Sequence, residues 1–360
     1  MHSMEKAYKL LDEVIAEQFE KDGGYVQFSF NYQRFALQIM EFILKIGNVT
    51  GISPSEESLN LVKKSVLQMY QLQDEIGDMP NYGSNDGALI FPLASCGYRD
   101  FRPTLNTVYA LIEGRRLYEP GIYDEEILWF LEKDLQEISI HEVKKESKAF
   151  RASGLYSLRT QEGFMMIILH NYKVRPGQMD QMHIDLWHKG INVLCDSGTY
   201  SYASNSGKKM SLTDAHNTAK VKNKEQMKKQ GPFLVYDWAK AKDIKFDNNR
   251  FKGTMVSKNR YSHTREIIKD GNEFIVNDKV DGDYEDYNIL FHTPCDIKEN
   301  KNGLDLYHKG ILFAKLITRN KYKIEKSYRS LYYLKKEEIN KISIKGNLDK
   351  EVTTKIILID

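Results

Sequence analysis

The sequence predicts an α+β, multidomain fold: a helical domain over residues 1–140 followed by a domain of antiparallel strands over 141–360. Three observations carry this. Up to about residue 135, apolar residues recur at helical spacing between clear start and stop signals. Beyond about residue 140 the apolar runs become short, rich in β-branched and aromatic residues, and bounded by Gly, Asn and Asp. The 360-residue length leaves room for two cores.

The helices come first. Glu5 to Phe19 sets Ala7, Leu10, Leu11, Val14, Ile15 and Phe19 on one face, and Asp22-Gly23-Gly24 breaks the pattern. Phe35 to Leu44 is a second apolar helix. Ser53-Pro54-Ser55-Glu56-Glu57 supplies a serine cap and acids for a helix to about Gln71. Gly77 to Gly87 is a turn-rich loop. Pro103 starts a helix through Arg116, and Glu125 to Leu135 is the last. Strands are expected at Gly154–Arg159, Phe164–His170, Lys220–Val221, Phe251–Val256, Phe274–Asp281, Leu304–His308, Leu312–Thr318 and Thr354–Leu358. His183 to Asp196 reads as a hairpin turning at Lys189-Gly190, followed by a long polar loop from Tyr200 to Asp214.

Composition narrows the function. The 52 basic and 50 acidic residues give a formal charge of +2, which argues against a nucleic-acid binder. The three cysteines, Cys96, Cys195 and Cys295, are far apart and imply neither a disulfide framework nor a CxxC site. No stretch is apolar enough to span a membrane. The first residues read as a charged amphipathic helix, not a secretory signal, so a cytoplasmic location is expected for the chain as written. Trp187, Trp238 and His292 read as structural, and the lysines from Lys222 to Lys229 as a solvated face.

Three clusters hold candidate chemistry. In the first, Tyr32 and Arg34 lie two residues apart where a helix begins, a spacing that would set a phenol beside a carboxylate-binding fork. Taken by pattern alone, a packed tyrosine and a surface ion pair are the commoner outcome. The second is the loop from Asn81 to Asp86, including Asn85. The third offers His183, Asp196 and His216, two imidazoles and a carboxylate suited to zinc, with Asp180 and Asp185 as further oxygen donors that keep calcium open. Paired carboxylates such as Asp180 and Asp196 also allow a hydrolase reading.

The three clusters together resemble the heparinase II/III-like polysaccharide lyases and their alginate-lyase relatives. DGGYVQFSFNYQRF resembles that family's "DG…S..Y" segment, and PNYGSNDGALIFPL its Gly-x-Asn-Asp-Gly loop. MDQMHIDLWHKGINVLCDSGTYSY followed by DAHNT resembles its most specific segment, where H-x-D, D-x-G-T-Y and H-N-T frame one hairpin and its loop. The resemblance implies a partial α/α toroid followed by an antiparallel β-sandwich. It makes Tyr32 the catalytic acid or base, with Tyr200 or Tyr202 as a second cleft tyrosine. It makes His183, Asp196 and His216 the ligands of one structural metal, zinc before calcium. Arg34, Asn81, Asn85, Asp86, Gln181 and Asn217 are expected to contact substrate. Gln181 stands where cleaving members often carry a histidine, and glutamine cannot exchange a proton at neutral pH. The family's upstream Asn-His pair is absent from this sequence. A C-terminal part of a longer protein and a shortened, inactive relative are therefore both expected readings.

The implied reaction is β-elimination at a uronic acid in an acidic polysaccharide, of a bacterial exopolysaccharide or capsule. A base takes the C5 proton, an acid protonates the leaving oxygen, and donors stabilise the charge that develops. The alternative is a glycan-binding or scaffold protein that keeps the fold without turnover. The sequence leaves the oligomeric state open.

Overall fold

Five helices build the first part of the chain in the computed structural model, which describes residues 2–131, 133–347 and 350–360. They are α1 (His2–Gln18), α2 (Phe30–Thr50), α3 (Glu56–Gln71), α4 (Arg102–Glu113) and α5 (Glu125–Phe130). Local capping chemistry sets their ends. Ser29 caps α2, its Oγ accepting the Tyr32 N–H at 3.1 Å, so the helix starts five residues before Phe35. Ser55, not Ser53, caps α3, with Glu56 and Glu57 in its first turn. Gly51 and Gly114 close α2 and α4 in the left-handed conformation. The apolar stripes meet in a core that includes Leu37, Val62, Val66, Leu105 and Val108. Within it lie two buried carboxylates, Glu41 and Glu126, and the buried guanidinium of Arg34.

Contacts divide the chain into a helical unit, Met1–Met79 with Gly87–Lys145, and a strand-rich unit, Pro80–Asp86 with Glu146–Asp360. The loop Pro80–Asp86, which follows α3 in sequence, thus packs with the strands.

The strand-rich unit holds four antiparallel sheets. Strands β1 (Lys148–Phe150), β2 (Leu155–Arg159), β3 (Gly163–Ile168), β4 (Ile184–His188) and β5 (Ile191–Leu194) form a meander in chain order. Its burial is nearly continuous, because both faces are covered. An eight-stranded sheet runs in the order Asp296–Asn300, Gly303–His308, Ile311–Thr318, Val352–Leu358, Glu273–Gly282, Tyr261–Asp270, Arg250–Ser257, Lys240–Asp247. A four-stranded sheet runs Tyr322–Tyr332, Lys335–Lys345, Tyr287–Thr293 and β6 (Ala219–Val221). Lys228–Gln230 pairs with Leu234–Tyr236. Side chains of the three larger sheets, among them Met165, Ile167, Phe251, Phe274, Phe291 and Ile342, share one core.

The β4–β5 hairpin turns where the sequence places it. Lys189 (φ 49°) and Gly190 (φ 75°) both adopt left-handed backbone, which matches the twist of the flanking strands. The polar loop beyond it contains a short helix, α6 (Asn205–Met210), capped by Ser204, which sequence periodicity does not show. Among the described residues, no helix is long and apolar enough to cross a membrane.

Candidate functional site

His183 enters β4, Asp196 leaves β5, and His216 follows a single helical turn, Thr213–Ala215. All three are buried, and one ligand-type atom from each lies within 4.8 Å of the others. His216 Nδ1 is 2.7 Å from Asp196 Oδ2, and His183 Nε2 is 3.7 Å from the same oxygen. Burial alone would raise the Asp196 carboxyl, but the adjacent His216 outweighs it and holds it below the usual carboxylate range. The same contact lifts His216 above an ordinary imidazole against the effect of burial. Asp185 Oδ2 also lies 3.7 Å from His183 Nε2, but both oxygens of this carboxylate are already engaged. Its Oδ1 accepts the Trp187 indole at 2.6 Å and the Asn192 amide at 2.7 Å, and its Oδ2 accepts the Asp196 N–H at 3.2 Å.

The glycine of D-x-G-T-Y has a physical reason. Gly198 (φ +69°) donates its N–H to Asp196 Oδ1 at 2.6 Å. A Cβ there would lie 1.9 Å from Asn81 Nδ2 and 2.6 Å from the Ser330 carbonyl oxygen. Asn81 in turn donates to that carbonyl at 2.9 Å. The second sequence cluster is thereby brought against the third inside one unit.

Several residues that hold this cluster carry no sequence motif. Arg265 and Asp278, on neighbouring strands, are wholly buried. Arg265 donates to Asp278 and also to the carbonyls of Met182 and Asn217, each next in sequence to a histidine of the cluster. His263 adds a 2.6 Å contact to Asp278. Period-two alternation places Arg265 on the buried face of its strand, and a buried arginine there is the signal that could have found it.

Four of the residues expected to contact substrate are engaged within the protein. Gln181 is fully buried: its amide accepts the His170 N–H at 2.8 Å and donates to the His170 carbonyl at 2.9 Å. Asn217 is also fully buried. Its Nδ2 donates to the carbonyls of Ile184 and Cys195, and its Oδ1 accepts the His292 N–H, so it staples β4, β5 and Tyr287–Thr293. Asn81 is the bracket just described. Arg34 is 1% exposed; it donates to the Tyr98 carbonyl and Asn31 and lies over the rings of Tyr98 and Phe101. The spacing argument for Arg34 beside Tyr32 does not hold, because both fall within α2, where positions two apart leave the helix on different sides. Asn85 is buried and Asp86 exposed in the loop. Tyr200 lies beneath the Lys336 ammonium, 5.4 Å from ring centre, while Tyr202 packs on Phe233 and Tyr333. Tyr32 is half-buried in the first turn of α2. Asp180 and Asp196 are both buried, which does not suit an exposed carboxylate pair.

The donor set fits a divalent cation of borderline softness: two imidazole nitrogens and a carboxylate oxygen, buried together. The Nε2 atoms of His183 and His216 have no hydrogen-bond partner, an orphaned state that a ligand would relieve. One adjustment is required. The Asn217 N–H donates to His183 Nδ1 at 2.9 Å, which puts the proton on Nε2, so ligation through Nε2 requires that bond to give way.

Comparison with known proteins bears on the fold and the family. No curated protein sequence matches the chain. Among solved structures, a heparinase III is similar at TM-score 0.78 and 17% identity, over 99% of this chain and 55% of that one. The heparan sulfate lyase HepC of Pedobacter heparinus is similar at TM-score 0.76 and 15% identity, over 99% and 56%. A Paenibacillus xanthan lyase is similar at 0.57 and 11%, over 96% and 41%. At these identities the likeness is one of fold, and the chain spans about 55% of the length of the heparinase III. The heparinase II/III-like C-terminal family model matches residues 142–356, more than half of the chain and nearly the whole strand-rich unit. On that match the chain belongs to the heparinase II/III-like family.

Proposed function

We propose that this chain works in the cleavage of a uronic-acid polysaccharide by β-elimination. The observation that carries the reading is the buried His183–Asp196–His216 cluster, set within the family's own domain beside the loop that bears Tyr200 and Tyr202. The reading takes α1–α5 as part of an α/α toroid, supported by a similarity to heparinase III that extends over 99% of the chain. Tyr32 is the proposed acid/base. Its position in the first turn of a 21-residue helix places it where aligned peptide dipoles favour negative charge. A divalent metal, zinc before calcium, would be held by His183, Asp196 and His216, where it would supply charge that braces the hairpin and loop. The substrate is an acidic glycan of a bacterial exopolysaccharide or capsule. Tyr32→Phe tests the assignment: turnover should vanish while the thermal transition stays in place. Full activity in that variant would remove Tyr32 from the reaction.

A second reading rests on Gln181. Its amide is engaged at both ends by the His170 main chain, so it supplies no proton-transfer group where cleaving relatives often carry one. On that reading the chain binds glycan without turning it over. Oligosaccharide binding with no product under all metal conditions would favour it.

A further inference from the structure

Beside the loop Pro80–Asp86 the strand-rich unit holds a small pocket whose lining residues are mostly of polar type. Ser84, Gln178, Thr199, Ser201, Tyr202 and Lys229 contribute to its wall. Gly207 forms one side: a Cβ there would fall 1.7 Å from the Ser201 carbonyl oxygen, so α6 lies directly against that strand of loop. No carboxylate lines the pocket among the described residues.

Two of its groups are incompletely matched. Lys229 is half-buried; its Nζ donates to Ser211 Oγ at 2.5 Å and to the Gly177 carbonyl at 3.3 Å. Both acceptors are neutral, and among the described residues no carboxylate pairs with this ammonium. Gln178 is 6% exposed, and its Oε1 has no hydrogen-bond partner. A desolvated cation without a counter-charge and an orphaned acceptor on one wall are each costly unless something else occupies the space.

We propose that this pocket is a subsite for an oxyanion substituent of a sugar, a carboxylate or a sulfate, with Lys229 as its charge partner. The identification of the ligand as a sugar rests on the polysaccharide reading above; the oxyanion chemistry does not. Burial, then the charge of Arg175, pushes the Lys229 ammonium down to about 8, and an anion at Nζ offsets both effects. The enclosed space holds about one water-sized group, so a single oxygen of the substituent enters and the sugar stays outside. The sequence gives no hint of this, because Lys229 closes a lysine-rich run that otherwise reads as a solvated face.

The test uses calorimetric titration of the whole chain with three tetrasaccharides of alternating glucuronic acid and N-acetylglucosamine: the plain acid, an O-sulfated form and a carboxyl-reduced form. Sodium sulfate is a fourth probe, read by the NMR signal of the Lys229 side chain. Wild type should bind an anionic form about tenfold more tightly than the reduced form. Lys229→Gln, which removes an unpaired charge and should keep the fold, should bind the forms equally. The plain and sulfated arms tell carboxylate from sulfate. Undiminished discrimination in Lys229→Gln would overturn the subsite. Sulfate that perturbs Lys229 while no glycan binds would keep the oxyanion site and remove the polysaccharide reading. No response to any of the four probes would remove both.

Discussion

Arg265 and Asp278 face each other directly across two neighbouring strands of the eight-stranded sheet, both wholly buried, with the guanidinium gripping both carboxylate oxygens at 2.6 and 3.1 Å. The remaining donor, Nη1, reaches the Met182 and Asn217 carbonyls. Two chain segments that carry His183 and His216 thus hang on one buried ion pair. Asp278→Ala leaves a buried positive charge uncompensated and should cost about 3–5 kcal/mol, seen as a lowered denaturant midpoint. An apolar double replacement of Arg265 and Asp278 should cost less than that single change. If the single change is silent, the clamp is not what holds these segments.

Gly198→Ala should destabilise by roughly 2–3 kcal/mol, because it adds a left-handed alanine and a clash with the Asn81 amide and Ser330 carbonyl. Gly51→Ala shares the left-handed backbone (φ 71°) but meets nothing within 4 Å. Comparing the two thermal transitions separates the clash from the backbone strain.

The helical unit should lose stability as pH rises. Burial, then the neighbouring Glu126, raises the Glu41 carboxyl well above its ordinary value. Burial and Asp78 push Asp74 up to about 7. A carboxyl raised in the folded state binds its proton more tightly there than in the unfolded chain. Its contribution is therefore complete below the unfolded carboxylate range and is lost as pH climbs toward the folded value. Glu41→Gln removes this liability. It should raise the midpoint by a few degrees at pH 8 and by much less at pH 4. An equal shift at both pH values would show that Glu41 does not titrate as described.

Zinc at about a hundredfold excess over its dissociation constant should stabilise the folded chain by about 2.7 kcal/mol, read as a raised melting temperature reversed by chelator. His216→Ala should abolish the response. A wild-type chain whose transition ignores zinc and calcium alike would remove the metal from the site.

The division into helices and strands was legible because helical spacing is strong at the chain's start, while the later apolar runs are short, β-branched and bounded by turn residues. Strands such as Tyr322–Tyr332 and Lys335–Lys345 were missed because ten of their 22 positions are charged, which dilutes the apolar signal. The candidate ligands were legible as residue types at recognisable offsets. The roles of Asn217, Gln181 and Arg34 were not, because a polar residue that contacts substrate and one that satisfies buried backbone look alike in sequence. Arg265 was invisible for a related reason: its partners Met182 and Asn217 lie far from it along the chain.

The most direct test of the proposed function is ultraviolet absorbance during incubation of the chain with a panel of uronic-acid polysaccharides, with and without added zinc. Elimination creates a C=C bond conjugated to the uronate carboxylate, and hydrolysis does not. The predicted result is a rise in absorbance on at least one glycan that disappears in Tyr32→Phe. New reducing ends without absorbance, or a flat trace from folded protein that binds the same glycan, would contradict it.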